Sequence, residues 1–280
     1  MTSGRPRMRD GDADRSLVSD GYIVLPGAAR TLLKDLRGVH RSLSPQVPAG
    51  FHSTLYSAET AHKREVHQRI LEVLGPLLDS YLEGYRPLLA NFVTKGRGGE
   101  NGVMPPHQDW TFVDEDEGAS FNVWIPLVDV DGRNGSISVL PRSHLLPRTI
   151  RGTDTTNPFS EVEPDVGAMM VDLPMSAGDV MVHDHRVVHG SPPNRRRRPR
   201  VATACAVVAD DAQVVHHRLH DDGVLRRYLI DESFFVRHTF GAPSLPPDVV
   251  LVGEVDFANP TFDRSDLASI RVSSWAGGAR

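Results

Sequence analysis

A short motif upstream of the middle of the chain combines residue types that bind metal ions. In PPHQDW, residues 105–110, His107 and Asp109 are two positions apart. Residues i and i+2 of a strand project from the same face, so one imidazole and one carboxylate can reach a single ion. With a third ligand from elsewhere, a histidine and a carboxylate favour the facial arrangement that suits Fe(II) and oxygen chemistry. An isolated His-X-Asp is more often a surface turn, here after two prolines.

A second stretch, HDHRVVHGSPPNRRRRPRVA at 183–202, is rich in histidine and arginine. Gly-Ser-Pro-Pro-Asn after His189 predicts a strong turn. In the following strand, Arg200 shares a face with Ala202, Ala204 and Ala206. An arginine among alanines has room around its guanidinium, which favours a bidentate grip on a small carboxylate inside a cavity.

Other histidines are weaker candidates for metal ligands. On a continuous strand, at about 3.3 Å per residue, His183 and His185 would lie ~20 and ~13 Å from His189. We therefore expect His183 to be structural, and His185 to lie behind the ligands or to face the substrate. His220 and Asp222 form another His-X-Asp, but the polar sequence HHRLHDDG around them predicts a solvated loop.

Two runs of like charge need a local explanation. The run Arg195–Arg198 predicts a solvated loop more than a nucleic-acid patch, because the formal net charge is −5 and no aromatic residues are interleaved. The acidic run Asp114–Glu117 follows the His-X-Asp motif. It is either a flexible lid over the site or a solvated turn, and we slightly favour the turn.

The strand predicted over 120–128 has two different faces. Phe121, Val123, Ile125 and Leu127 alternate onto one face, which we expect to be core. Asn122 and Trp124 share the other face. An amide beside an aromatic ring is suited to a ligand pocket, although a tryptophan covering the edge of the core explains the pattern as well.

The elements that carry these residues are mostly short strands. Apolar spacing predicts helices over 30–43 and 61–85, the second kinked or split at Gly75-Pro76. Short runs separated by turn residues predict strands at 88–95, 103–109, 120–128, 136–140, 168–173, 179–189 and 200–209. The tail predicts a short helix at 225–230 and a strand at 249–252. The fold class is therefore mainly β with flanking helices, a sandwich or barrel rather than βαβ units.

The bulk composition fits one globular domain. The chain has 280 residues, of which 39% are hydrophobic. We expect residues 1–15 to be a disordered tail and 16–280 to be a single domain with its β-core at about 88–210. Cys205 is the only cysteine, which excludes an internal disulfide. The start has no apolar segment like that of a signal peptide, and no run approaches the roughly 20 apolar residues of a membrane span, so a cytoplasmic location is expected.

The motifs taken together resemble the phytanoyl-CoA dioxygenase family of Fe(II)/2-oxoglutarate oxygenases. The resemblance is carried by NFVTK (91–95), HQDW (107–110), NVWIPLVDVDGRNGSISVLPRSH (122–144) and GDVMVHDHRVVHGSPPNRRRRPRVA (178–202), and covers about residues 17–210. The order is specific: His189 follows His107 by 82 positions and is followed by Arg200 after 11.

The resemblance implies a double-stranded β-helix, a cupin-like jelly roll buttressed by helices. His107, Asp109 and His189 would hold Fe(II), and Arg200 would pair with the distal carboxylate of 2-oxoglutarate. Further cosubstrate contacts would come from Ser191, Trp124 and, more loosely, Asn91. Apart from the resemblance, we expect Trp110 and His185 to contact the substrate. O₂ and 2-oxoglutarate would be consumed and succinate and CO₂ released as an unactivated C–H bond is hydroxylated. The carboxylate of the iron site favours hydroxylation over halogenation.

Two alternatives remain open at this point. One is a cupin-like metalloenzyme that uses no keto acid, and the other is a non-catalytic binding protein on the same scaffold. For the enzyme, the arginine-rich composition (only three lysines) suggests a bacterial specialised metabolite or an amino-acid-like small molecule as the substrate. We expect no nucleic-acid or membrane partner.

Overall fold

Two antiparallel sheets face each other and form the centre of the protein. The computed structural model describes residues 6–44, 46–98, 100–238, 242, 244–247, 249–256 and 258–270. The strands are β1 Tyr22–Leu25, β2 Gly50–Ser53, β3 Tyr85–Gly96, β4 Met104–His107, β5 Ser120–Pro126, β6 Ile137–Val139, β7 Val171–Leu173, β8 Val180–Asp184, β9 His189–Ser191, β10 Arg200–Ala209, β11 Val215–Leu219, β12 Leu225–Leu229 and β13 Val250–Glu254. The helices are α1 Gly11–Asp20, α2 Leu33–Leu43, α3 Thr60–Tyr81, α4 Glu163–Met169, α5 Phe234–Arg237 and α6 Arg264–Ser269.

The chain passes repeatedly from one sheet to the other. The larger sheet has the order β1-β8-β5-β10-β3-β2, and the smaller one has the order β4-β9-β6-β7. Consecutive strands from β3 to β10 therefore alternate between the sheets, apart from the β6–β7 pair. This winding is the double-stranded β-helix that the family resemblance implies, and strands cover the predicted β-core at 88–210.

One face of the six-stranded sheet is buried under helices. Phe121, Val123 and Ile125 of β5 point to this side, as their alternation predicts. They pack with apolar residues of α1, α2 and α3, among them Leu36 and Ile70. The opposite face of the sheet is thereby left to line the space between the two sheets.

Three predicted elements outside the two facing sheets differ from the structure. Residues 11–20, expected to belong in part to a disordered tail, form α1, because Asp10 caps the helix and Leu17 is buried against the core. Residues 1–5 lie outside the described residues. Of the kink or split expected at Gly75-Pro76, the split does not occur in α3: proline removes one helical hydrogen bond, but buried side chains on both sides, such as Leu74 and Leu78, keep the helix against the sheet.

The third difference lies in the tail. Residues 225–229 were predicted as a helix but form β12, the middle strand of a small sheet in the order β11-β12-β13. Pairing with β11 and β13 outweighs the local helical spacing of this segment. The strand predicted at 249–252 is confirmed by β13. Among the described residues, no helix has the length and apolar character needed to cross a membrane.

Candidate active site

A cavity of about 240 Å³ lies between the two sheets. Its walls come from the inner faces of both, and from the segment that follows β4. All nine residues that the sequence analysis places at a site line it: Asn91, His107, Asp109, Trp110, Trp124, His185, His189, Ser191 and Arg200. The structure therefore brings together residues that are up to 109 positions apart in the chain.

Two histidines face each other across a pair of strands. His107 ends β4 and is directly paired with His189, which begins β9. Their ring centroids are 4.4 Å apart. The Nδ1 atoms are hydrogen-bonded to backbone carbonyls, that of His107 to Pro105 at 2.8 Å and that of His189 to Val187 at 3.0 Å. These bonds fix both rings and leave the Nε2 atoms for a ligand.

The carboxylate of Asp109 completes a metal-binding arrangement. Ligand atoms of this aspartate, His107 and His189 all lie within 4.8 Å of one another. Oδ1 of the carboxylate is 3.8 Å from Nε2 of His189, and Oδ2 accepts a hydrogen bond of 3.2 Å from the side-chain amide of Asn122. One oxygen is thus oriented by the protein while the other faces the histidines. This set of two imidazoles and one carboxylate fits a divalent transition metal with open coordination positions.

His183 lies closer to the metal-binding residues than the strand spacing predicts. Its Nε2 lies 3.4 Å from Oδ2 of Asp109, and its ring centroid is 4.7 Å from that of His189. The predicted distances assumed one straight strand. In the structure β8 ends at 184, and the chain turns before β9 begins on the other sheet.

The same turn brings His185 to the other side of the carboxylate. Its Nε2 is 4.0 Å from Oδ2 of Asp109, and its Nδ1 is 2.7 Å from the hydroxyl of Ser120. His185 is fully buried. We had expected it either behind the ligands or facing the substrate, and its contact with the carboxylate fits the first.

Burial sets the protonation states of these groups. It lowers the pKa of His107 to about 4 and of His185 to about 3, and it also lowers the pKa of His189. Burial alone would raise the pKa of Asp109, but His189, with His183 and His185, outweighs it and holds that pKa well below its usual range. At neutral pH the site therefore offers neutral imidazoles and an ionised carboxylate, the forms that bind metal ions.

Arg200 begins β10 on the inner face of the six-stranded sheet and is only 1% exposed. Its Nη1 donates to the carbonyl of Val93 at 3.1 Å, and its guanidinium lies 5.5 Å from the ring centre of Trp124. Nε has no hydrogen-bond partner within the described part of the chain. Burial lowers the pKa of Arg200 to about 9, so it is still charged at neutral pH. A buried guanidinium without a carboxylate partner is suited to bind an anion from outside.

Lys95 is a buried cation that the sequence analysis did not assign to the site. It is the direct partner of Arg200 between β3 and β10, and its Nζ donates to the carbonyls of Ser191 and Pro192 at 2.9 and 2.7 Å. Burial and the neighbouring guanidinium lower its pKa to about 7. A signal was present in the sequence, since one of only three lysines ends the apolar strand NFVTK.

A buried ion pair holds the backbone of the metal motif. Arg151 donates to both carboxylate oxygens of Glu115, at 2.8 and 2.6 Å, and its Nε donates to the carbonyl of Asp109 at 2.8 Å. Glu115 belongs to the acidic run that was predicted to be a solvated turn. The turn is confirmed and Asp116 and Glu117 are exposed, but Glu115 is not solvated, because an arginine 36 positions later pairs with it in the interior.

The remaining candidate residues either lie in the wall of the cavity or lie outside it. Trp110 packs against Phe235, with ring centroids 6.2 Å apart, and Asn91 donates to the hydroxyl of Ser53 at 2.7 Å, so both are fixed in the wall of the cavity. Residues 195–198 are exposed, as predicted for a loop. His220 and Asp222 do not line the cavity, but the segment just before them is the strand β11 rather than a loop.

Comparisons with solved structures bear on the fold. The epimerase SnoN, in complex with Fe3+, alpha ketoglutarate and nogalamycin RO, is 24% identical with a TM-score of 0.52, covering 72% of this chain and 86% of that one. The carbocyclase SnoK from nogalamycin biosynthesis is 20% identical with a TM-score of 0.53, covering 89% and 100%. HygX from Streptomyces hygroscopicus, with nickel, 2-oxoglutarate and hygromycin B bound, is 15% identical with a TM-score of 0.51, covering 72% and 88%. These similarities confirm the fold.

Sequence comparison identifies the family. A curated relative, "Phytanoyl-CoA dioxygenase" of Arabidopsis thaliana, is 33% identical over 124 residues, which are 43% of this chain and 42% of that protein. The chain thus spans less than half the length of this relative. The family model for phytanoyl-CoA dioxygenase (PhyH) matches residues 18–202, close to the 17–210 over which the motifs show the resemblance. With well over half of its length matched by that model, the chain belongs to the phytanoyl-CoA dioxygenase family.

Proposed function

We propose that the protein is an Fe(II)- and 2-oxoglutarate-dependent oxygenase that oxidises an unactivated C–H bond of a small molecule. The observation that carries this proposal is the pairing of two unlike groups in one cavity. His107, Asp109 and His189 offer a divalent metal three ligands, and Arg200 offers a carboxylate a buried, charged partner. A dicarboxylic keto acid is the ligand that can use both at once, with its keto acid end on the metal and its other carboxylate on the guanidinium.

The reaction follows from the cosubstrate. With Fe(II), 2-oxoglutarate and O₂ bound, the site supplies an oxidant strong enough for C–H bonds; one oxygen atom enters succinate, CO₂ leaves, and the other atom is available to the substrate. The protein's own residues orient the reactants. Asn122 and His183 hold one oxygen of Asp109, and the backbone carbonyls at Pro105 and Val187 fix the two imidazoles.

Residues beside Arg200 also form a pocket for the cosubstrate. Trp124 lies beside the guanidinium of Arg200, and Ser191 and Asn91 line the same cavity. We assign these three residues to the cosubstrate pocket. Trp110 lines the cavity directly after the metal motif, and we assign it to the substrate. Buried apolar side chains that line the cavity, such as Leu89, Phe112 and Ile137, lower the local polarity, which strengthens the electrostatic interactions within it.

We propose hydroxylation as the outcome and a specialised metabolite or an amino-acid-like compound as the substrate. Proteins with the same fold include the epimerase SnoN in complex with nogalamycin RO, the carbocyclase SnoK, and HygX with hygromycin B bound. The outcome is distinguished by product mass. Hydroxylation adds one oxygen atom, cyclisation or desaturation removes two hydrogens, and epimerisation leaves the mass unchanged.

The test is succinate formation from 2-oxoglutarate by protein that was loaded with Fe(II) under anaerobic conditions and then exposed to O₂. We expect wild-type protein to form succinate and Asp109→Ala to form none above background. Asp222→Ala is the matched control, because it changes the aspartate of the second His-X-Asp, which lies outside the cavity; it should retain full activity. A metal-loaded wild type that neither binds nor consumes 2-oxoglutarate would favour a keto-acid-independent metalloenzyme, and a protein that holds no iron would favour a binding protein.

A further inference from the structure

A second cavity opens beside the active-site cavity. Its volume is about 530 Å³, and it lies among the end of α2, β2, the turn after β2 and the start of α3. Phe51, Ser53 and Tyr56 line both cavities, so the two lie side by side. We call the second cavity the outer groove. Its size falls within the ~300–1,000 Å³ typical of pockets for drug-sized ligands, whereas the inner cavity, at about 240 Å³, falls below that range.

The lining of the outer groove combines apolar surface with hydroxyl and imidazole groups, and its described residues carry no formal charge from acids or strong bases. None of its described lining residues is Asp, Glu, Lys or Arg. A groove without cations is unsuited to phosphates or carboxylates, which excludes the coenzyme A part of an acyl-CoA from it. A groove without carboxylates is equally unsuited to an amine. The occupant is therefore a neutral molecule.

Hydroxyl groups make up much of this lining. Ser53 accepts hydrogen bonds from the amide of Asn91 and the backbone of Leu55, and Ser57 accepts one from the backbone of Glu59. Since each hydroxyl already accepts, its own O–H remains to donate to a ligand oxygen. The hydroxyl of Ser44 is buried without a hydrogen-bond partner in the described residues, a state that a ligand oxygen would relieve.

Two aromatic side chains stand where the groove meets the inner cavity. Phe51 and Tyr56 belong to both linings, and the tyrosine is 57% exposed. Aromatic faces with hydroxyl donors around them recognise ring compounds that present C–H groups on one side and hydroxyls at the edge. Sugars have this character, whereas a fatty acyl chain would leave the hydroxyl groups unpaired.

From these features we infer that the outer groove binds a neutral sugar of a glycosylated substrate whose reacting part enters the inner cavity. This inference rests on the proposed function and names the substrate class of the same site. It separates the two recognition tasks: the inner cavity holds the cosubstrate and the C–H bond to be oxidised, and the outer groove holds the sugar.

The probe is 4-methylumbelliferyl β-D-glucopyranoside, whose binding to the full chain loaded with Ni(II) and 2-oxoglutarate is followed by ligand-observed NMR. The comparison ligands are the corresponding glucuronide, the free aglycone, methyl β-D-glucopyranoside and palmitoyl-CoA. We expect the neutral glucoside to bind at least about tenfold more tightly than the glucuronide or the aglycone, the difference that one or two hydrogen bonds produce. Weaker binding of the methyl glucoside would show that the aglycone contributes as well.

Two variants locate the binding. Gln46→Trp fills the groove from an exposed position and should weaken glucoside binding at least about tenfold, and His62→Ala removes a lining imidazole and should weaken it less. Gln68→Trp, the same exchange at an exposed position of α3 outside the groove, should bind as the wild type does. Equal affinity for glucoside and glucuronide, tighter binding of palmitoyl-CoA, no glucoside binding, or unchanged binding by Gln46→Trp would overturn the inference.

The same samples separate this inference from the proposed function. Gln46→Trp should bind 2-oxoglutarate with wild-type affinity, because residue 46 does not line the inner cavity. If wild-type protein binds the glucoside but not 2-oxoglutarate, the proposed function fails while the sugar site remains. If it binds 2-oxoglutarate but not the glucoside, only the sugar site fails.

Discussion

The inner cavity has two functional sides of opposite charge, which we call the metal side and the cation side. On the metal side, the groups of His107, Asp109 and His189 are oriented by hydrogen bonds, and they are neutral or negative at neutral pH. On the cation side, Arg200 lines the cavity and is the cross-strand neighbour of Lys95; both are buried, and neither forms an ion pair with a carboxylate of the described residues. The metal side requires a cation and the cation side requires an anion.

Without ligands, each side of the cavity holds buried charge that destabilises the protein, and the sign of that charge differs between the two sides. A buried guanidinium without an anion has an unfavourable solvation energy, and so does a carboxylate surrounded by imidazoles without a metal. One ligand that carries a carboxylate to each side, together with a metal ion, satisfies both. The comparison can be tested one side at a time.

The largest effect is expected on the metal side. Asp109→Ala removes the single anionic ligand, and we expect succinate formation and Fe(II) affinity to fall more than about 100-fold, beyond the ~10–100-fold typical of residues that only support a ligand. Metal analysis of the isolated variant and its melting curve separate loss of metal from loss of fold. A folded variant that binds Fe(II) as tightly as the wild type would contradict the assignment.

The next largest effect is expected from the buried Glu115–Arg151 ion pair, which supports the metal side. Glu115→Gln leaves Arg151 buried and unpaired, and we expect the free energy of unfolding to fall by about 3 kcal/mol. Fe(II) affinity should fall as well, because Arg151 holds the carbonyl of Asp109. Asp116→Asn is the control, since it removes an exposed ion pair with Arg148 and should change stability by less than about 1 kcal/mol. Equal denaturation midpoints for the two variants would show that the buried pair does not hold the motif.

On the cation side, Arg200→Ala should raise the 2-oxoglutarate concentration needed for half-maximal succinate formation by roughly 10- to 100-fold. This is the effect of one or two charge-assisted hydrogen bonds at ~1.5–3 kcal/mol each. Arg200→Lys should restore part of the affinity, because it keeps the charge but not the bidentate geometry. An unchanged 2-oxoglutarate dependence in Arg200→Ala would show that Arg200 does not bind the cosubstrate.

The smallest effect is a pH dependence. The pKa of Lys95 is lowered to about 7, so raising the pH from 6.5 to 8.5 removes its positive charge, while His107, with a pKa of about 4, stays neutral throughout. We expect 2-oxoglutarate to bind more weakly at the higher pH by about 1 kcal/mol, the effect of one nearby charge. Lys95→Met should flatten the profile, and Lys34→Met, at an exposed lysine of α2, should keep it. A flat wild-type profile would show that the lysine does not act on the anion.

The sequence predicted most of the cavity because its residues obey simple strand alternation. Asn122 and Trp124 turned inward and Phe121 outward, as the period of two requires. Arg200, Ala204 and Ala206 share the cavity wall for the same reason.

What the sequence missed depends on contacts between distant segments. His183 reaches Asp109 because the chain turns from one sheet to the other between β8 and β9, and no local pattern marks that turn. Glu115 is buried by an arginine 36 positions away, and β12 is a strand because two neighbours pair with it. Pairing and burial decided these cases against local propensity.

The central claim is that one ligand bridges the metal side and the cation side. Calorimetric titration of Ni(II)-loaded protein with 2-oxoglutarate and with 2-oxobutanoate, which lacks the distal carboxylate, tests it directly. We predict that 2-oxoglutarate binds at least about 30-fold more tightly, equivalent to ~2 kcal/mol, and that removing the metal abolishes this binding. Equal affinities for the two keto acids, or tight binding of 2-oxoglutarate without metal, would contradict the account.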